Sequence, residues 1–227
     1  MWGSCVPPDL SLALTSVPTH DEIDLRDSML ILASASPRRR ELLTQAGFSF
    51  QVESISVTEA PRPGEDPIHL VKRLAREKAE AVFSAASKHH ASKDPLLVLG
   101  ADTVVVCDRE ILNKPAGDAD AARMLRLLAG RTHQVITGVC LISSLGVEVA
   151  AETTRVTMLA LSNEEILAYV ATREPMDKAG AYAIQGHASR WIPRIVGCYF
   201  NVVGLPIALV NTMIESAHRK LAPHPVS

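Results

Sequence analysis

The chain has 227 residues, 47% hydrophobic and 21% charged, an ordinary globular composition long enough for a substantial core. A formal net charge of −2, a pI near 6.4 and 4% aromatic residues exclude a broad basic or base-stacking surface for nucleic acid, and likewise a basic membrane-binding face. No run reaches the roughly 20 apolar residues of a membrane span, and Cys5, Cys107, Cys140 and Cys198 show no disulfide or metal spacing, which points to a reducing, cytoplasmic setting.

Residues 1–28 hold three prolines and the acidic run Asp21-Glu22-Ile23-Asp24, with no amphipathic period and no basic start of a signal peptide. They read as a flexible extension, or as translation upstream of a start at Met29. The apolar Met29–Ala33 predicts a strand that feeds a helix opened by Ser36 as N-cap and Pro37 as first residue. Arg38, Arg39 and Arg40 then fall in the first turn, at the positive end of the helix dipole, where each costs about 0.3–1 kcal/mol on a surface. A solvated face is one reading of this run. An anion docked on the free amides reverses the penalty, and the hydroxyls of Ser34 and Ser36 stand at the same strand-to-helix turn, so a phosphate site is favoured.

Gly47 ends that helix, and Phe48–Val57 alternates as a second strand. After a loop at Pro61, Pro63 and Gly64, a second helix is expected from Asp66-Pro67 to about Ala86. Its apolar stripe is Ile68, Val71, Leu74, Ala75, Ala79 and Val82, and Lys78 lies on it. A lysine there either snorkels at the stripe's edge or reaches into a cleft towards an anion or carboxylate.

Leu96–Cys107 reads as a buried strand that Asp102 interrupts. A carboxylate in such a run needs a cation, a metal or strong donors, so it is either a structural ion pair or a metal ligand or general base. Gly100 before it marks a close approach of backbone or ligand.

Further elements follow in order: a turn at Arg109-Glu110, the pair Ile111-Leu112 and a helix over Asp118–Ala129 ended by Gly130. Gln134–Ser143 and Val147–Leu161 then read as antiparallel strands. Ser162-Asn163-Glu164-Glu165 is a capping box opening a helix that carries Ile166, Tyr169 and Val170. Asp177–Tyr182 is expected as a polar turn into a short strand over Ala183–Gly186, and a last helix runs from Pro206 to about His218. His89, His90 and His133 show no metal spacing and read as surface or structural residues.

The order of these segments resembles the Maf family of nucleoside triphosphate pyrophosphatases. The residues that carry the resemblance are Ser34-Ala35-Ser36-Pro37-Arg38-Arg39, Arg73-Leu74-Ala75-Arg76-Glu77-Lys78-Ala79, Gly100-Ala101-Asp102-Thr103 and Lys114-Pro115. Gly130-Arg131-Thr132-His133, Thr137-Gly138, Asp177–Tyr182 with Ile184-Gln185-Gly186, and Asn201–Pro206 continue it, so that it spans residue 29 to the last helix. Asn113 departs from the glycine that commonly precedes Lys-Pro.

The resemblance implies an α/β fold of the Maf/inosine-triphosphatase-like type, a mixed, elongated sheet flanked by helices with a central cleft. It implies one domain of two lobes over 29–221, with an extension over 1–28 and a tail over 222–227, and a homodimer. The implied reaction is house-cleaning hydrolysis of a nucleoside triphosphate to monophosphate and pyrophosphate with a divalent cation, Mg2+ or Mn2+. Asp102 would accept the proton of the attacking water, and Arg38, Thr103 and Gln185 would discriminate substrates. Ser34, Arg39, Lys78 and Lys114 would bind phosphate, with Ser36 beside them, and Asp102 and Glu59 would hold the metal. Asp177–Tyr182 with Gln185 looks like the dTTP/UTP branch, extending to modified pyrimidines, and the Gln185 amide can offer a pyrimidine edge both a donor and an acceptor. The alternatives are the 7-methyl-GTP branch and a non-catalytic nucleotide-binding regulator of cell division. A P-loop NTPase is excluded, since no GxxxxGK[ST] occurs.

Overall fold

The structure, a computed structural model, describes residues 28–89 and 95–221. The extension expected over 1–28 (Ser28 apart), the tail over 222–227, Cys5 and His90 lie outside the described residues.

Seven strands form one mixed sheet in the order β2-β1-β3-β5-β6-β7, with β4 paired to β3. They are β1 (Met29–Ala33), β2 (Gln51–Glu53), β3 (Leu96–Cys107), β4 (Glu110–Leu112), β5 (Thr132–Ser143), β6 (Gly146–Thr157) and β7 (Arg194–Val196). β1 pairs in parallel with β2 and β3, and the remaining pairings are antiparallel. The helices are α1 (Pro37–Gln45), α2 (Pro67–Ala86), α3 (Asp118–Leu128), α4 (Asn163–Ala171), α5 (Tyr199–Val203) and α6 (Ile207–Leu221). The expected mixed sheet flanked by helices is the observed one.

Alternation along β3 divides the molecule. Leu96, Val98 and Val104 face α2, together with Ala75, Ala79, Val71 and Leu74. Leu97, Leu99 and Ala101 turn to the other face and pack with α1 and α6, while Val105 and Cys107 pack with α3 and α4. That second face therefore carries two apolar cores side by side.

Between them runs a buried polar seam. Asn201 is fully buried, and its Nδ2 donates to the Val135 carbonyl and to Thr154 Oγ1, both at 3.0 Å. Thr137 Oγ1 donates to the Asn201 carbonyl at 3.3 Å and shares a 2.9 Å hydrogen bond with Thr103 Oγ1. These bonds satisfy the Asn201 Nδ2 and the threonine hydroxyls, whose bare burial would cost about 1–3 kcal/mol each, while Asn201 Oδ1 is buried with no partner among the described residues.

Several expected elements differ, each for a physical reason. The second strand shrinks from Phe48–Val57 to Gln51–Glu53, because its partner β1 ends at Ala33 and leaves residues from Ser54 onward without a ladder. β6 stops at Thr157, where β5 also runs out; beyond it Met158 and Leu159 bond instead to Arg131 and Trp191. Ala183–Gly186 is a turn closed by the Gly186 amide on the Ala183 carbonyl, not a strand. The hairpin after β3 turns on Asp108 and Arg109, both at positive φ, one residue earlier than expected. Ile68 is exposed and Leu70 takes its place on the buried stripe. Residues 177–182 are less polar than expected: two 3-10 turns bury Ala181 and Tyr182 there. The capping box on α4 is present as read, with Ser162 Oγ accepting from Glu165 and Glu165 accepting from Ser162.

His133 is structural. It is 2% exposed, and its Nε2 is 2.8 Å from Tyr182 OH. Burial pushes its imidazole down to about 4. The unfolded chain takes up a proton near 6.5 that the folded protein refuses until about 4. Stability contributed by neutral His133 is therefore complete above pH 6.5, falls as the pH drops through that window, and levels off below. The expected loss is of order 3 kcal/mol. Urea unfolding of wild type and His133→Gln at pH 4 to 7 checks this: the difference between their stabilities should shrink on acidification, and a constant difference would rule the account out.

Candidate functional site

The sheet leaves a gap at its centre. β3 pairs with β1 only as far as Gly100, and with β4 only from Val105 onward. On that edge Ala101–Val104 have no neighbouring strand, although β5 covers the other edge throughout. A cavity of about 980 Å³ opens there. Asp102 and Thr103 point to opposite faces of β3, and both line it because the cavity straddles the uncovered edge.

All ten residues expected at a site from the sequence line this one cavity: Ser34, Ser36, Arg38, Arg39, Glu59, Lys78, Asp102, Thr103, Lys114 and Gln185. They come from four regions: the β1–α1 turn, the segment before α2 with α2 itself, the gap in β3, and the loops at residues 114 and 185. Five cations line the cavity (Arg38, Arg39, Lys78, Lys114, Lys178) against three anions (Glu59, Asp102, Asp177). An excess of positive charge in a chain of net charge −2 suits a compact polyanion.

Lys78 reaches into the cleft, as one of its two sequence readings had it. Its Nζ lies 2.6 Å from Asp102 Oδ1 and 2.5 Å from Glu59 Oε1. Two oxygens this close to one nitrogen are no more than about 5 Å apart. Burial opposes ionisation of Glu59, yet the hydrogen bond and charge of Lys78, aided by Lys114 and Arg39, hold its carboxyl below the usual range.

Glycine makes this approach possible. A Cβ on Gly100 would stand 2.1 Å from the Ala75 carbonyl oxygen, and one on Gly138 only 2.3 Å from that of Val71. The close approach read at Gly100 is therefore that of helix backbone. Gly138 is the register partner of Asp102, so α2 sits directly on the sheet where the carboxylate emerges. Only the family pattern had drawn attention to Gly138.

The three arginines of α1 part company. The nine-residue helix turns about 100° per residue, so neighbours point in different directions. Arg40 is exposed and lies off the cavity. Arg38 crosses the cleft to Asp177, Nη1 to Oδ2 at 3.1 Å, a contact between residues 139 positions apart. Arg39 is buried: Nε donates to the Gly204 carbonyl at 2.9 Å, Nη1 to Ser34 Oγ at 3.1 Å and Nη2 to Thr103 Oγ1 at 3.1 Å. Burial lowers its pKa although Asp102 works against the shift. Three of its five N–H groups are thus held by the protein, leaving two for a ligand.

Ser36 is not the side-chain cap that the sequence had suggested. Its amide donates to Ser34 Oγ at 3.3 Å and its own hydroxyl makes no cap bond. Ser36, Pro37, Arg38 and Arg39, the start of α1, line the cleft. Across the cleft, the Gly180 amide donates to the Asn113 carbonyl at 3.2 Å and ties the Lys114 loop to the turn at 179–181. Asn113 has no positive φ, so this loop does without the glycine common in the family. Lys178 also lines the cavity and pairs with Asp177. Its place there was legible only through the family motif.

Among the described residues no group of three or more His, Cys, Asp or Glu is arranged to hold a metal ion, and no helix is long and apolar enough to cross a membrane. The carboxylates of Asp102 and Glu59 share Lys78 in the cleft, and the third, Asp177, pairs with Arg38 and Lys178.

Known proteins similar to this chain fall into one group. A dTTP/UTP pyrophosphatase of Koribacter versatilis is 56% identical over 189 residues, covering 83% of this chain and 94% of that protein. A dTTP/UTP pyrophosphatase of Geobacter metallireducens is 50% identical over 186 residues, covering 81% and 93%. Among solved structures, the Ham1 protein of Staphylococcus aureus is similar with a TM-score of 0.41 and 14% identity, covering 84% of this chain and 100% of that one. The model of the family described as Maf-like protein matches residues 29–217, and the chain belongs to that family.

Proposed function

We propose that this protein hydrolyses dTTP and UTP, with modified pyrimidine nucleotides in the same class, to the monophosphate and pyrophosphate. The observation that carries the reading is the convergence of Lys78, Asp102 and Glu59 beside four further cations in one cleft. The names of relatives about half identical to the chain point the same way.

In this reading Arg38, Arg39, Lys114 and the open amides of α1, with Ser34 and Ser36, receive the triphosphate. Asp102 takes a proton from a water whose oxygen bonds to the α-phosphorus, while the bond from that phosphorus to the bridging oxygen breaks and pyrophosphate leaves. Lys78 fixes the carboxylate in place at 2.6 Å. Thr103, held between Arg39 and Thr137, shapes the wall, and Gln185 reads the base edge; its amide makes no hydrogen bond to another described residue.

Asp102 and Glu59 fit a divalent cation such as Mg2+ or Mn2+: both present hard oxygen donors within about 5 Å, and magnesium is commonly held by one or two carboxylates plus substrate phosphates. Such an ion, when bound, neutralises charge on the phosphate oxygens. The same reading takes residues 29–221 as one domain of two lobes, working as a homodimer on a cytoplasmic nucleotide pool.

Pyrophosphate release from dTTP, UTP, dCTP, dGTP and 7-methyl-GTP, with and without magnesium, tests it. The expected result is a higher kcat/KM for dTTP and UTP, lost on chelation and restored by Mg2+ or Mn2+. Preference for 7-methyl-GTP would move the chain to the other branch, and binding without turnover would make it a regulator; either overturns the proposal.

A further inference from the structure

Gln185 stands on a turn with little structure of its own. The single bond closing the turn is that of the Gly186 amide to the Ala183 carbonyl at 3.1 Å. Its two ends are instead tied to one distant carboxylate. The His187 amide donates to both oxygens of Glu174, at 3.1 and 3.2 Å. The Ala183 amide donates to Tyr169 OH at 3.2 Å, and that hydroxyl donates onward to Glu174 Oε1 at 2.7 Å. Gly186 leaves room for this arrangement, since a Cβ on it would lie 2.2 Å from Glu174 Oε1.

The anchor is itself fixed. Tyr169 is 1% exposed and meets the Trp191 ring edge to face at 5.3 Å. The Glu174 amide donates to Thr172 Oγ1 at 3.2 Å, whose hydroxyl bonds back to the Tyr169 carbonyl at 2.6 Å. The Glu174 carbonyl accepts from Lys178 Nζ at 3.2 Å, so the same residue also steadies a cation of the cleft. Glu174 does not line the cavity.

We infer that Glu174 is a positioning residue for base selectivity: through Tyr169 and the His187 amide its carboxylate clamps both ends of the turn that presents Gln185. The inference rests on the proposed role of the cleft in reading a pyrimidine. A selective site needs its polar group placed to within a fraction of an ångström, because a misplaced amide pairs equally badly with every base. Oε1 already accepts from both the Tyr169 hydroxyl and the His187 amide; in Glu174→Gln an NH2 replaces the other oxygen and turns donors against the His187 N–H that Oε2 accepts at 3.2 Å.

The test is the ratio of kcat/KM for dTTP to that for dCTP and dGTP, measured on the full chain for wild type, E174Q, Y169F, G186A and Q185A. Each of the first three variants is expected to lower that ratio roughly 10- to 100-fold, through KM for dTTP more than through kcat. E174Q added to Q185A should lower it no further than Q185A alone, since both act through one amide. If E174Q does not fold, Y169F and G186A loosen the same clamp with the carboxylate in place. A uniform loss for all nucleotides at constant ratio, or additive effects in the double variant, makes Glu174 merely structural and overturns the inference. Absence of any pyrimidine preference in the wild type instead sinks the functional reading and the inference with it.

Discussion

Asp102→Asn is expected to lower kcat for dTTP about 10³-fold, within the range for loss of a general base, with KM little changed. The asparagine cannot take a proton from water, but it keeps the size and one acceptor of the carboxylate. The phosphate-binding groups come from other elements and stay in place, which is why the loss falls on kcat. Folding should survive. Lys78 retains Glu59 at 2.5 Å, and half of the Glu59 side chain meets solvent, so the ammonium is not stranded. Circular dichroism melts beside single-turnover kinetics separate the outcomes. A folded Asp102→Asn protein with near-normal kcat removes the base from the mechanism, whereas a raised KM at normal kcat assigns Asp102 to binding alone.

The parts legible in the sequence are those whose signals are local. The Asp66 cap on α2, which accepts from the Ile68 and His69 amides, and the Ser162/Glu165 box on α4 announce themselves within four residues. The charged intrusions at Lys78 and Asp102 stand out against apolar periodicity, and burial makes each need a partner; each turns out to be the other's. What was not legible depends on distant pairing. β7 is three residues long and exists because Arg155–Thr157 offer it an edge. The turn at 183–186 reads as a strand by composition, yet no strand edge reaches it. The local charge signal is the same for Arg38, Arg39 and Arg40, and only the family motif told them apart; helix rotation sends one to Asp177, one into the polar seam and one to solvent. Nothing local to Arg38 names a partner 139 positions away.

The largest loss of stability is expected from Gly138→Ala. The added methyl would start 2.3 Å from the Val71 carbonyl oxygen and 2.7 Å from the Lys72 amide nitrogen, and neither is a side chain that can swing aside. Relief to an ordinary contact requires α2 to lift by about 1 Å or the strands to part. Overpacking of this kind costs about 1–3 kcal/mol, and here it also strips contacts from Leu70, Val71 and Leu74 along the buried stripe. Because Lys78 lies two turns beyond Val71 on the same helix, lifting α2 should also draw the ammonium off Asp102 and lower kcat/KM by up to about 10²-fold. Gly100→Ala, with the Ala75 oxygen at 2.1 Å, should behave alike. Gly117→Ala is the control: its φ of 173° is extended backbone and nothing lies within 4 Å of the added carbon, so only the cost of alanine at the N-cap of α3, under about 1 kcal/mol, is expected. Urea titrations of the three variants with dTTP turnover decide the matter. A Gly138→Ala protein as stable and as active as Gly117→Ala would mean that the close seat of α2 on the sheet is not what brings the ammonium to the carboxylates.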